Sequence, residues 1–110
     1  MAGNIRDGER RLELRTALVR PLKLWCAHTG RYLSGTTQDV SATGALIEVD
    51  HPSLLVSGQR VRVGIAWSSR HMLLGDADLI EARVLRSLGM GGSQRVALEF
   101  NQRQESALSA

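Results

Sequence analysis

The sequence predicts an all-β domain, a small six-stranded antiparallel β-barrel that follows a basic N-terminal arm. Apolar residues alternate with polar ones from about residue 16 onwards, which is the period of strands with one buried face. Glycine, proline and serine interrupt the alternation after short runs, and no helical pattern separates the runs. The length of 110 residues fits one domain, and closing one sheet into a barrel would protect its edges.

The first three strands are predicted around residues 22–26, 32–40 and 45–49. In the first strand, Leu22, Leu24 and Cys26 share one face, and the run ends before a turn at residues 29 and 30. The second run is the least regular of the six. The third ends before Pro52, because proline has no N–H to donate to a neighbouring strand.

The other three strands are predicted around residues 61–67, 71–88 and 96–100. In the fourth strand, Val61, Val63 and Ile65 alternate with polar or small residues and form one apolar face. The fifth run changes phase near residues 75 and 76, which predicts one long strand bent by a bulge. Glycines at 89, 91 and 92 form the turn into the last strand.

The chain divides into a basic arm of residues 1–15, a barrel of residues 16–101 and a tail of residues 102–110. The tail is long enough for only a turn or two of helix, which is marginal without packing. Five of the 14 lysines and arginines fall within the first twenty residues, and the net charge of +3 favours an anionic partner. No apolar run could cross a bilayer and no secretory signal is recognisable, so a cytoplasmic location is expected.

Two short motifs carry the candidate chemistry. The first, RLELR at residues 11–15, directly follows Arg10, and the second is DVSATG at residues 39–44. Together they resemble the PilZ domain family, whose motifs are RxxxR on an N-terminal segment and D/NxSxxG at a strand end. The order and separation of the motifs extend the resemblance over nearly the whole chain. It implies a split β-barrel that binds the bacterial second messenger cyclic di-GMP.

The resemblance identifies the ligand-binding residues as Arg10, Arg11, Arg15, Asp39, Ser41 and Gly44. Cyclic di-GMP carries two phosphodiester charges and two guanines, and an arginine fork pairs bidentately with either group. An ionised Asp39 can accept hydrogen bonds from guanine N1–H and N2–H₂. Ser41, two residues on and therefore expected on the same strand face, can contact a phosphate or a base edge. Gly44 is expected to adopt a positive φ and to let the ligand approach the backbone. Many relatives carry a further glycine where this chain has Ala45, which puts one minor backbone contact in doubt.

A receptor rather than an enzyme is expected, because the sequence offers no pairing of a nucleophile with a base. The three histidines and the single cysteine lack metal-ligand spacing, so neither a metal nor a cofactor is expected besides the nucleotide ligand. The arm is expected to be mobile without ligand, because it has few apolar groups. Ligand would order it over the barrel and change the surface offered to a downstream protein partner.

Three alternatives stay open. The arginines could be a solvated charge run paired with Glu9 and Glu13, and the DVSATG segment could be ordinary turn chemistry. The chain could also be a PilZ-like module that docks on proteins without nucleotide, although both motifs being intact argues against this. A small nucleic-acid-binding barrel would suit the basic charge. Such barrels usually present several aromatic side chains on which bases stack, and an aromatic content of 4% provides few of them.

Overall fold

A computed structural model describes residues 15–68 and 79–105 and contains seven strands in these ranges. The strands are β1 (Thr16–Ala17), β2 (Pro21–Cys26), β3 (Arg31–Val40), β4 (Gly44–Val49), β5 (Arg60–Ile65), β6 (Ile80–Gly89) and β7 (Gln94–Phe100). Every pairing is antiparallel, and the order is β1-β3-β2-β5-β6-β7-β4 with a further β3–β4 pairing. This last pairing closes β2 to β7 into a six-stranded barrel, so the predicted fold class is confirmed. The short β1 is an additional strand outside it.

The barrel interior is filled by the alternating apolar residues of the strands, as the sequence pattern predicts. Leu24, Ile47, Val63 and Val96 are completely buried and belong to one continuous core. The irregular second run has a physical cause, because a bulge between Thr37 and Asp39 reverses the alternation near the end of β3.

The predicted long strand from residue 71 differs in its extent and in the position of its bend. β6 begins at Ile80, and its register shift lies between Val84 and Arg86 rather than near residues 75 and 76. Residues 69–78, which include the predicted bend, lie outside the described ranges. Ala82 and Val84 face the core before the bulge in β6, whereas after it Arg86 is exposed and Ser87 lies opposite the buried Val96.

The expectations for both ends of the chain lie mostly outside the described residues. Residues 1–14 and 106–110 are not covered, and they include most of the predicted arm and half of the tail. Within residues 15–68 and 79–105, no helix is long and apolar enough to cross a bilayer.

Candidate functional site

The strand β1 brings the end of the RxxxR motif to the D/NxSxxG motif. Thr16 pairs with Val40 and Ala17 with Asp39, so the residue before β1, Arg15, is carried to the end of β3. The pairing continues with Leu18, whose N–H donates to the Gln38 carbonyl. Two motifs separated by 24 positions in sequence thus meet at one end of the barrel.

The meeting point is an ion pair between Arg15 and Asp39. The Arg15 Nη1 donates to Asp39 Oδ1 at 2.7 Å, and the two side chains are 62% and 31% exposed. Such an exposed pair adds little to stability, about 0–1 kcal/mol. Its importance is geometric, because one cation and one acceptor lie side by side on a surface that a ligand can reach. The sequence predicted both residues, but not that they bind each other in the absence of ligand.

Ser41 organises the loop between β3 and β4. Its Oγ accepts from the Thr43 and Gly44 N–H groups at 3.3 and 3.2 Å, and it donates to the Gly44 carbonyl at 3.3 Å. The Ser41 N–H donates to the same carbonyl at 2.8 Å. One donor and two acceptor positions are the full capacity of a hydroxyl. Ser41 is also completely buried, so it does not share an exposed strand face with Asp39 as expected. The end of β3 at Val40 accounts for this difference, because Ser41 lies in the following loop and not on the strand.

Gly44 does not have the positive φ that the sequence suggested. Among the described residues, positive φ occurs at Gly30, Gly58 and Gly91. Gly44 is instead the first residue of β4, where an added Cβ would lie 2.4 Å from the Leu98 carbonyl oxygen of β7. The lack of a side chain therefore allows two strands to approach closely at the site.

Two polar residues that the sequence analysis missed fasten the segment after β1 to the barrel. Thr37 is completely buried; its Oγ1 donates to the Leu18 carbonyl and accepts from the Arg20 N–H at 2.8 Å. The Arg20 guanidinium donates to the carbonyls of Ala66 and Ser68 at 2.6 and 2.7 Å. Thr37 resembles any other strand threonine in sequence, and nothing local indicates that it faces a backbone segment 19 residues away.

The end of β7 and the segment after it hold the same loop. The Phe100 N–H donates to the Thr43 carbonyl at 2.8 Å, and the Gln104 N–H donates to the Ala42 carbonyl at 2.7 Å. With these bonds, the loop that follows Asp39 is fixed on two sides. Arg10 and Arg11 lie outside the described residues, so only Arg15 represents the arginine motif here. Within residues 15–68 and 79–105, no cluster of His, Cys, Asp or Glu could hold a metal ion.

Comparison with solved structures places this barrel among known folds. The chain is similar to the Bacillus subtilis inhibitor of motility (MotI/DgrA), with a TM-score of 0.68 and 17% identity over 91% of this chain and 47% of that one. It is similar to the PilZ domain with c-di-GMP of YcgR from Escherichia coli, with a TM-score of 0.62 and 14% identity over 84% and 78% of the two chains. A PilZ domain of CeSA from a cellulose-synthesizing bacterium gives a TM-score of 0.56 and 19% identity over 87% and 89%. At these identities the likeness concerns the fold.

Sequence comparison gives a closer relationship. The chain is 35% identical over 96 residues to a cellulose synthase catalytic subunit (UDP-forming) of Pseudomonas fluorescens (strain SBW25). The match covers 86% of this chain but spans only 12% of that relative. The PilZ domain family model matches residues 9–110, a range that contains both motifs and every strand of the barrel. The chain therefore belongs to the PilZ domain family.

Proposed function

We propose that this chain is a non-catalytic receptor module for cyclic di-GMP. The observation that carries the proposal is the contact between Arg15 and Asp39, one residue from each motif, at 2.7 Å on an accessible surface. A PilZ domain of the same fold, that of YcgR, has been solved with c-di-GMP. Family membership and the meeting of both motifs together favour this function over a chance charge run.

The two partners of the ion pair match complementary parts of the ligand. Arg15, with Arg11 and Arg10 four and five residues before it, would bind phosphate oxygens or the O6/N7 edge of guanine. Asp39 would accept hydrogen bonds from the guanine N1–H and N2–H₂ donors, which arginine cannot satisfy. Each side chain would exchange its present partner for a group on the ligand, so no buried charge is left unpaired during binding.

Ser41 and Gly44 would contribute mainly by shaping the loop beside Asp39. The Ser41 hydroxyl is already saturated by loop groups, and Gly44 allows the close approach of β4 and β7. We propose that these two residues hold the loop backbone beside the ligand. The Ser41 hydroxyl would not be a main ligand contact.

The receptor would act by a population shift. A ligand that bridges the arm and the barrel binds preferentially to the conformation in which the arm covers the barrel. It must therefore raise the population of that conformation. The arm enters the barrel through Arg15 and β1, so a ligand held by Arg15 and Asp39 lies where the arm begins. Closing the arm over the ligand would change the surface offered to a downstream protein.

The experiment is calorimetric titration with cyclic di-GMP, compared with GTP, GMP and a short single-stranded oligonucleotide. Saturable binding of cyclic di-GMP alone is expected. Arg15→Ala should weaken it by about 5- to 150-fold, since a bidentate guanine contact is worth about 1–3 kcal/mol. Arg31→Ala, at the opposite end of β3 from Asp39, is the matched control and should bind like the wild type. Wild-type affinity in Arg15→Ala would refute the proposed site, and preference for the oligonucleotide would favour the nucleic-acid alternative.

A further inference from the structure

A second surface with its own chemistry lies on the outer wall of the barrel, away from the site at Asp39. Strand register places Tyr32 of β3 opposite Trp25 of β2, Trp25 opposite Arg62 of β5, and Arg62 opposite Glu81 of β6. These four side chains alternate with the buried residues of their strands, so they form a row across the outside of the barrel. We call this row, with its neighbours Lys23 and Arg60, the aromatic–basic surface.

The aromatic part of this surface is already ordered. The rings of Trp25 and Tyr32 have centroids 4.8 Å apart at an interplanar angle of 54°. Lys23 Nζ lies 4.6 Å from the centroid of the Tyr32 ring. Tyr32 remains 44% exposed, so part of this pair is accessible to a partner. Little side-chain freedom would be lost if a partner packed against this pair.

A pocket of about 190 Å³ opens beside the indole of Trp25. It is lined by Trp25, Ala27, Arg60, Val61, Arg62 and Glu81. Pockets for drug-sized ligands are larger, about 300–1,000 Å³, so this one is too small to enclose a dinucleotide. It suits a single apolar or aromatic side chain, the kind of anchor on which protein interfaces depend.

The charges around the pocket are unbalanced. The aromatic–basic surface carries three cationic side chains, those of Lys23, Arg60 and Arg62. Among the described residues that line its pocket, Glu81 provides the one carboxylate. Arg60 is exposed and stands directly opposite Arg83, and like charges in this position are destabilising. Arg83 is neutralised by Glu99 at 2.6 Å, whereas no ion pair of Arg60 is found in residues 15–68 and 79–105. The charge of Arg60 is therefore available to an anionic partner.

The arrangement fits an acidic protein segment better than a nucleic acid. A single strand needs successive open aromatic faces on which its bases stack. Here the two rings contact each other, and one of them also carries Lys23. We propose that the aromatic–basic surface docks a protein partner through an acidic segment that places one apolar or aromatic side chain in the pocket and a carboxylate beside Arg60.

This proposal is independent of nucleotide binding. Tyr32 and Asp39 are seven residues apart on β3, roughly 20 Å at about 3.3 Å per residue. A variant of the aromatic–basic surface should therefore leave the affinity for cyclic di-GMP unchanged, and failure of either proposal would not affect the other.

The test is an NMR titration of the full chain with a synthetic peptide in which one phenylalanine is flanked by glutamates. Comparison probes are the same peptide with alanine for phenylalanine, one with lysines for the glutamates, and a single-stranded oligonucleotide of equal charge. We expect saturable shifts at Trp25 and at residues 60–62, and weaker binding when phenylalanine is removed. Arg60→Glu should weaken binding by about tenfold or more. Arg103→Glu, an equal charge change on the exposed segment after β7, should not.

Arg60→Glu also carries its own check on folding. It replaces a like-charge pair with Arg83 by an opposite-charge pair, so the unfolding midpoint should stay equal or rise. Three results would overturn the proposal: no saturable binding of the phenylalanine peptide, equal binding by wild type and Arg60→Glu, or preferential binding of the oligonucleotide.

Discussion

Replacing Ser41 with alanine separates the two roles that a motif serine can have. If the hydroxyl contacts the ligand directly, its loss affects binding and leaves the apoprotein almost unchanged. If it holds the loop together, its loss must also lower the free energy of unfolding. The structure predicts the second outcome, because every hydrogen-bonding position of the Ser41 hydroxyl is used within the loop.

The size of the effect follows from the bonds that would be lost. The N–H groups of Thr43 and Gly44 would lose their side-chain acceptor, while the backbone bond from Ser41 N–H to the Gly44 carbonyl at 2.8 Å would stay. An unsatisfied buried group costs about 1–3 kcal/mol. The donor–acceptor distances of 3.2 and 3.3 Å are at the long end for such bonds, so each is weaker than average. We expect a total loss of about 1–2 kcal/mol in unfolding free energy.

The assay is urea unfolding followed by calorimetric titration of the same samples with cyclic di-GMP. Ser34→Ala, which removes an exposed hydroxyl from β3, the strand before this loop, is the control and should change neither quantity. Ser41→Ala should lower the unfolding free energy and weaken ligand binding together. Lost binding with an unchanged unfolding free energy would refute the reasoning and identify the hydroxyl as a ligand contact.

Three further substitutions test two supports of the site and one support of the loop after β4. Gly44→Ala should lower the unfolding free energy by about 1–3 kcal/mol, because its Cβ would meet the Leu98 carbonyl at 2.4 Å; an unchanged urea midpoint would contradict this. Thr37→Val removes two hydrogen bonds to the segment after β1 and should speed amide exchange at Arg20, an effect absent if that segment is held elsewhere. Gln94→Leu leaves three backbone groups of residues 51–55 without their partner, at about 1–3 kcal/mol for the buried Leu55 N–H and less for the two part-buried carbonyls. Proteolysis within that loop should accelerate, and wild-type resistance would show that the loop does not need this side chain.

The fold was predictable because alternation reports directly which face of a strand is buried. The strands β2, β4, β5 and β7 were located to within about two residues by this pattern alone. The bulges were harder, because an extra residue shifts the phase without leaving a distinctive residue behind. The short β1 was missed for another reason: two residues are too few to show a period, and their pairing with β3 depends on contacts distant in sequence.

The site was only partly predictable. The motifs predicted Arg15 and Asp39 but not the ion pair between them. A motif specifies residue types, and it does not show which residues contact each other in the protein without ligand. Sequence reasoning assigned Ser41 and Gly44 to the ligand, and their environments became visible only with β7 and the following segment in place. Thr37 was missed because a buried polar residue that bonds to remote backbone has no local signature, and the same holds for Gln94, which pairs with β4 at the end opposite Gly44.

The ion pair between Arg15 and Asp39 has a consequence for how a receptor of this kind would bind. Because both side chains are accessible, the pair contributes at most about 1 kcal/mol and presents only a small barrier to exchange with ligand. It nevertheless keeps the Arg15 side chain at the end of β3, and immobilising such a side chain otherwise costs about 0.5–1.5 kcal/mol. Part of the ordering that the ligand would require is thus completed beforehand. On the proposed function, Asp39 would serve twice, first by positioning the arginine and then by accepting from guanine, and this carboxylate would favour an anionic ligand despite its charge.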